Sequence, residues 1–301
     1  MTTVGEALAK GRASLQKDSE HPARDAVLLL AHVLDKPSEY PYLHPETALS
    51  DGQEQEYLRL VERRRAGEPV AYLRGYQEFM GMRFLVDRRV LIPRPETEIL
   101  VGAALAVLGR QDGEVRIADA GCGSGAIGLS LARLLSKAWV ALTDSSLDAL
   151  EVARGNAASL GVMDRVRFFH GDLLRPLLDA GLSSQFDVLV SNPPYIPAEE
   201  MDELPQDVRC FEPGLALDGG PGGLAVIERI AAEAPAMLRP GGTLYVEIGD
   251  GQGNACRGIF LRAGTWRDFG LLADYSGRQR VFTARTRSAG SRGDRLADQG
   301  G

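Results

Sequence analysis

The chain has 301 residues, about two domains at roughly 150 residues each. Hydrophobic residues make up 44% and charged residues 25%, a globular mix that excludes a mainly disordered protein. Lys and Arg total 34 against 41 Asp and Glu, a formal charge of -7, whereas affinity drawn from neutralising phosphates wants a basic excess, so the balance argues against a duplex nucleic-acid binder.

From the N-terminus, Met1 to Glu6 lacks the basic and apolar regions of a secretory signal. No run reaches the roughly 18 apolar residues of a membrane span, so no membrane association is expected. Residues 1–75 read as a small helical domain. Val4, Leu8 and Leu15 recur near helical spacing, and Pro22 suits the first turn of a helix carrying the apolar run that starts at Ala26. Asp51, with Glu54 three residues on, predicts the capped start of a third helix that stops at Gly67-Glu68-Pro69. Arg63-Arg64-Arg65 falls at that helix's C-terminal end, where cations suit the negative dipole; a substrate-docking role is the alternative.

Residues 76–95 predict a β-hairpin linker. Phe79, Met82, Phe84 and Val86 approach strand alternation, and Val90-Leu91-Ile92 reads as a further strand that Pro93 ends. The segment Pro93 to Glu98 then opens a helix through Ile99, Leu100 and Leu105. From about 113 onward strands and helices alternate. Strands are predicted over 115–118, 140–143, 166–169, 186–190 and 243–248, with helices over 127–135, 147–160 and 225–238. Pro240-Gly241-Gly242 reads as a turn, and 266–269 with 280–283 as an antiparallel closing pair. Such alternation implies an α/β domain over 96–286: a doubly wound, mainly parallel sheet with helices on both faces. Residues 287–301, rich in Gly, Ser, Arg and Asp, predict a disordered tail. Cys122, Cys210 and Cys256 are too widely spaced for a disulfide framework or a C-x-x-C metal pair, so no metal and a reduced, cytoplasmic compartment are expected.

The turn after the first of the alternating strands reads Asp119-Ala120-Gly121-Cys122-Gly123-Ser124-Gly125. Its glycines let the backbone turn sharply and approach a ligand, and the next helix contributes unpaired N–H donors. Gly123 to Gly128 also fits the dinucleotide pattern, so the turn alone leaves the adenosine cofactor open. Asp144 ends the second strand 19 residues past Gly125 (144 − 125 = 19), where a carboxylate binds ribose hydroxyls or caps the next helix through Ser145-Ser146. After the third strand, Asp172 and Leu173 offer an acid for an adenine amino group and an apolar face for its ring.

The fourth strand runs into Asn192-Pro193-Pro194-Tyr195, which separates the cofactor classes. Ligands of open α/β sheets bind outside the carboxyl ends of the strands, so this tetrad lies beside the glycine turn. An amide nitrogen is a poor nucleophile because its lone pair is delocalised. Two acceptors aimed at its N–H bonds, the Asn192 side-chain oxygen and the Pro193 carbonyl, hold it in line with a sulfonium methyl group. Consecutive prolines stiffen that frame, and the Tyr195 ring can pack on the flat amide. These residues point to S-adenosylmethionine-dependent methylation of a planar nitrogen; a plain turn after a strand is the bland alternative.

With these motifs in place the chain resembles the PrmC/HemK family, the glutamine-N5 methyltransferases of peptide chain release factors. The markers are Glu78-Phe79-Met80-Gly81, Leu91 through Glu98, Asp119 to Gly128, Ser191 to Tyr195, and Phe211-Glu212-Pro213 with Ala216-Leu217. The resemblance implies a helical substrate-recognition domain, a hairpin linker and a seven-stranded Rossmann-like methyltransferase domain. It also implies a substrate, the glutamine of the Gly-Gly-Gln motif of class I release factors, with no direct nucleic-acid partner. Carried over to this chain, Gly121, Cys122, Gly123, Ser124, Gly125, Asp144, Asp172, Leu173 and Asn192 would hold the cofactor. Asn192, Pro193, Pro194, Tyr195 and Leu91 would hold the glutamine, Leu91 standing where some members have phenylalanine and Leu173 where some have tryptophan. Methylation of ribosomal protein L3, DNA adenine-N6 methylation on a flipped base and a catalytically dead fold are the rivals.

Overall fold

The computed structural model describes residues 1–287, so the expected tail lies outside the described residues except for Arg287. In chain order the elements are α1 (Val4–Leu15), α2 (Pro22–Leu34), α3 (Tyr40–Leu43), α4 (Asp51–Arg65), α5 (Val70–Arg74), β1 (Tyr76–Phe79), β2 (Met82–Leu85), α6 (Glu98–Leu108), β3 (Val115–Ala120) and α7 (Ala126–Leu134). They continue with β4 (Ala138–Asp144), α8 (Leu147–Ser159), β5 (Val166–His170), α9 (Arg175–Asp179), β6 (Phe186–Ser191), α10 (Gln206–Phe211), α11 (Ala225–Glu233), β7 (Leu238–Glu247), α12 (Gly253–Ala263), β8 (Trp266–Ala273) and β9 (Gln279–Thr286). The chain forms two compact units. One comprises Met1–Gln77, Val86–Arg88 and Leu204–Glu212; the other comprises Glu78–Leu85, Arg89–Glu203 and the chain from Pro213 on.

In the helical unit, α1, α2 and α4 close around Val4, Leu15, Leu29, Leu30, Tyr57 and Leu60. The cap of α4 is Ser50 with Gln53 rather than Asp51 with Glu54. The capping side chain must sit on the extended residue before the first helical one, and Ser50 at ψ 156° does, whereas Asp51 is already in the helix. The arginine cluster has internal partners: Arg63 donates to Glu68, Arg64 to Asp25 at 2.8 Å, and Arg65 to Asp18 at 3.1 Å. Arg64 also reaches Asp207, at the start of α10, at 3.4 Å.

β1 and β2 form a hairpin whose turn residues Met80 and Gly81 both have positive φ, as a tight two-residue hairpin requires. Val90-Leu91-Ile92, expected as strand, is not: the hairpin is complete with four residues a side, and the run enters a proline-flanked loop instead. The main sheet has the order β5-β4-β3-β6-β7-β9-β8, with β9 antiparallel to both neighbours. Side chains alternate between its two buried faces. Ile117, Val140 and Val188 pack with α6, α7 and α8, while Ala118, Ala141 and Leu189 pack with α11 and α12. Both flanks are covered, which is why these strands read as continuous apolar runs.

Two boundaries shift from expectation by several residues, and one helix was not expected. The helix over 225–238 ends at Glu233, because Pro235 lacks the amide needed to continue it. β7 begins at Leu238 and holds Pro240-Gly241-Gly242 as an irregularity between the pairs Phe186–Leu238 and Val188–Thr243. α12 had no sequence expectation; it opens in a glycine-rich stretch and buries only Gly253, Cys256, Ile259 and Phe260, a thin stripe.

Candidate active site

Strand order reverses between β3 and β6, and the carboxyl ends of these two strands open onto a cavity of about 320 Å3. One side is the turn after β3. Gly121, Gly123 and Gly125 have φ of 71°, 53° and 80°, a left-handed conformation that side chains resist. A Cβ on Gly125 would stand 2.6 Å from Leu129, and one on Gly128 2.7 Å from the Asp119 carboxylate, so the turn also needs the space. Such a cradle admits the flexible amino-acid end of a ligand against backbone atoms, and the first turn of α7, Ala126 and Ile127, lines it too.

Asp144 ties this cradle together. Its Oδ2 accepts from the Gly123 amide at 2.8 Å and its Oδ1 from the Ser146 amide at 2.9 Å. Each oxygen keeps a further lone pair for a ribose hydroxyl. Burial raises its pKa, opposed by amides of Ser146, Gly123 and Ser145. The helix cap proper is Ser146, which accepts from Ala149. Beneath the turn, fully buried Asp119 accepts from the Gly128 amide at 2.8 Å, and burial pushes it up to about 7. At the far end of the cavity Asp172 is paired with Arg229 at 2.6 Å, and Leu173 has a strained φ of 44°.

The opposite side is the tetrad after β6. Ser191 donates its hydroxyl to the Ala120 carbonyl at 2.7 Å, locking the ends of β6 and β3. Asn192 donates Nδ2 to Thr97 Oγ1 at 3.4 Å, and Thr97 donates to buried Glu247 at 2.5 Å. Tyr195 donates its hydroxyl to the other Glu247 oxygen at 3.3 Å. Burial pushes Glu247 up to about 7, the Thr97 and Tyr195 hydroxyls opposing. Behind the tetrad, a Cβ on Gly219 would lie 2.8 Å from the Pro194 carbonyl, and one on Gly223 2.1 Å from that of Tyr195. Gln252 caps the same Tyr195 carbonyl at 3.0 Å.

Of the residues expected from sequence, Leu91, Gly121, Cys122, Gly123, Ser124, Asp144, Asp172, Leu173, Asn192 and Pro194 line this one cavity. Gly125, Pro193 and Tyr195 are not among its lining residues: Gly125 and Pro193 are buried, and Tyr195 leans on Glu247. Sequence reasoning missed Thr97, Asp119, Arg229, Glu247, Gln252 and the glycines at 219 and 223. One signal was available, since Glu247 interrupts the apolar run Tyr245-Val246-Glu247-Ile248 and charged residues are rarely buried without a reason.

Residues 6–75 match the family described as the PrmC N-terminal domain, and residues 98–206 the methyltransferase small domain. The chain is 45% identical over 267 residues to the release factor glutamine methyltransferase of Moorella thermoacetica, covering 88% of this chain and 92% of that one. It is 42% identical over 270 residues to the protein of the same name from Salmonella typhimurium, covering 89% and 94%. Among solved structures, the hMettl16 catalytic domain aligns with a TM-score of 0.56 at 16% identity, over 86% of this chain and 92% of that one. A Pyrococcus furiosus methyltransferase aligns at 0.51 and 19%, over 77% and 98%. Likeness at such identities shows the fold alone.

Proposed function

The chain belongs to the release factor glutamine methyltransferase family, and from that premise we propose its reaction. It methylates the side-chain amide nitrogen, N5, of the glutamine in the Gly-Gly-Gln motif of class I release factors, using S-adenosylmethionine, in the cytoplasm. The observation that carries the reading is that Asn192 and Pro194 share one cavity with the glycine turn and Asp144. No described helix is long and apolar enough to cross a membrane.

The residues present suit the cofactor. The Gly121–Gly125 cradle takes its amino-acid end, Asp144 its ribose hydroxyls, and Asp172 with Leu173 its adenine. When bound, S-adenosylmethionine supplies an electrophilic sulfonium methyl group. The chain's own work is positioning. The Asn192 oxygen and Pro193 carbonyl accept the two N–H bonds of the glutamine amide, favouring the more pyramidal nitrogen of the transition state. Leu91 and Pro194 hold the flat amide between them, and Tyr195, fixed by its hydroxyl on Glu247, braces the tetrad behind them. No general base is needed, since the methylated nitrogen is strongly acidic and releases its proton to water.

The test is incubation with labelled S-adenosylmethionine and, separately, a release factor, ribosomal protein L3 and duplex DNA. Label should appear on the Gly-Gly-Gln glutamine; label on DNA alone would overturn the assignment. Asn192→Ala should abolish transfer while cofactor affinity, by calorimetry, changes only a few-fold. Full activity in that variant would remove the tetrad from the reaction.

A further inference from the structure

A carboxamide is nearly symmetrical in shape, so Asn192 could present either its oxygen or its NH2 group to the cavity. The reaction works with one orientation only, because a donor facing the substrate's own NH2 group repels it. The choice is made two residues away. Thr97 has one hydroxyl hydrogen and two lone pairs. Its hydrogen is committed to Glu247 at 2.5 Å, because an ionised carboxylate only accepts. Thr97 therefore has only lone pairs to offer Asn192, and the group it receives at 3.4 Å is Nδ2. The Asn192 oxygen is left for the substrate.

We propose that Glu247 is a positioning residue: acting through Thr97, it dictates that Asn192 meets the substrate amide with its oxygen. The inference rests on the role given above to Asn192. The fold builds the relay directly. Ser191 of β6 pairs with Val246 of β7, so the next residues along, Asn192 just past β6 and Glu247 at the end of β7, stand side by side at the carboxyl edge of the sheet. Thr97 enters from the turn before α6. Glu247 also receives the Tyr195 hydroxyl at 3.3 Å, so one buried carboxylate braces both ends of the tetrad.

A carboxylate is a poor choice for mere bracing, since burial penalises its charge. Polarity is what it supplies and an amide does not. With Glu247 protonated or replaced by glutamine, the relay can run backwards: residue 247 donates to Thr97, Thr97 to Asn192, and the NH2 group turns outward. The charged or titratable groups facing Glu247 are Glu96 from the turn before α6, Tyr195 from the tetrad and Arg280 from β9, with Arg94 acting on Tyr195.

The experiment compares the full chain with E247Q, T97V and T97S, using a release factor as acceptor. E247Q and T97V should lose about 10- to 100-fold in kcat, the scale of a misaligned reacting group, with S-adenosylmethionine affinity within about twofold. T97S, which keeps the hydroxyl, should stay near the unaltered rate. The unaltered protein should lose kcat as pH falls through about 7, a limb absent from E247Q. Unchanged kcat in both E247Q and T97V would overturn the relay. Equal losses in T97V and T97S would do the same, since packing rather than the hydroxyl would then be at work. Exchange of the Asn192 side-chain NH2 protons, read by NMR, needs no substrate. It should be slow in the unaltered protein and fast in T97V, and equally fast exchange in both overturns the relay. Failure of the unaltered protein to label any glutamine would instead sink the substrate reading and leave the exchange result to decide the relay.

Discussion

Asp119→Asn should gain stability relative to the unaltered protein as pH rises, by about 2–3 kcal/mol between pH 5 and pH 8. The carboxyl is fully buried; Oδ2 accepts from Gly128 at 2.8 Å and Oδ1 has no hydrogen-bond partner. Burial, with Asp144 adding to it, lifts the group from 3.8 to about 7. A raised pKa means the folded chain holds a proton that the unfolded chain releases. The stability that proton gives is complete below 3.8 and is lost as pH rises through about 7. At about 1.4 kcal/mol per pH unit, ionisation destabilises the fold by about 2 kcal/mol at pH 5 and about 4 at pH 8. Asparagine can keep the Gly128 bond and has no charge to bury. Its NH2 group, placed where Oδ1 now lacks a partner, costs about 1–3 kcal/mol at every pH. The assay is denaturant unfolding of both proteins at four pH values without cofactor, and the informative quantity is how their difference changes with pH. A difference that stays flat from pH 5 to 8 would refute the buried-charge reasoning.

Asp144→Ala should weaken S-adenosylmethionine binding about 10- to 100-fold by calorimetry, the worth of a charge-assisted hydrogen bond; an unchanged Kd removes Asp144 from the site. Gly223→Ala places a Cβ where the Tyr195 carbonyl stands, 2.1 Å away, on a residue at φ 71°. Methyl transfer should fall well below the unaltered rate because the tetrad's backbone must move, and wild-type kinetics would show that the contact does not position it. Arg64→Met leaves Asp25 buried without its cation and should destabilise the helical unit by about 3–5 kcal/mol. Limited proteolysis within residues 1–77 reads this out, and unaltered protection would count the pair as dispensable.

The parallel strands were plain in the sequence because burial on both faces turns each into an apolar run, as in Phe186-Asp187-Val188-Leu189-Val190. The glycine turn was equally plain, since left-handed backbone and close packing leave few residue types to choose from. What stayed hidden depends on partners distant in the chain. Thr97 reads as a helix-start residue until Glu247, 150 residues on, takes its hydrogen. Gly219 and Gly223 read as loop glycines until the carbonyls of Pro194 and Tyr195 are seen against them. α12 was missed because its apolar stripe is thin, and the Ser50 cap because two good capping residues stand side by side and only backbone conformation chooses between them. Tyr195 was expected against the substrate, and its hydroxyl bond to Glu247 is a contact that no spacing rule encodes.

The placement of β9 bears on how the protein is made. It is the last of the nine described strands to be synthesised, yet it lies inside the sheet, between β7 and β8. While a nascent chain still lacks residues 279–286, β7 has a bare edge, its carbonyls and amides open to any extended segment nearby. The glycine turn, Asp144 and the tetrad all precede that point in synthesis, so a prematurely ended chain could carry the residues of the cavity on a sheet that invites aggregation. A strand that contributes no residue to the cavity lining thus makes the integrity of the message a condition for a usable fold.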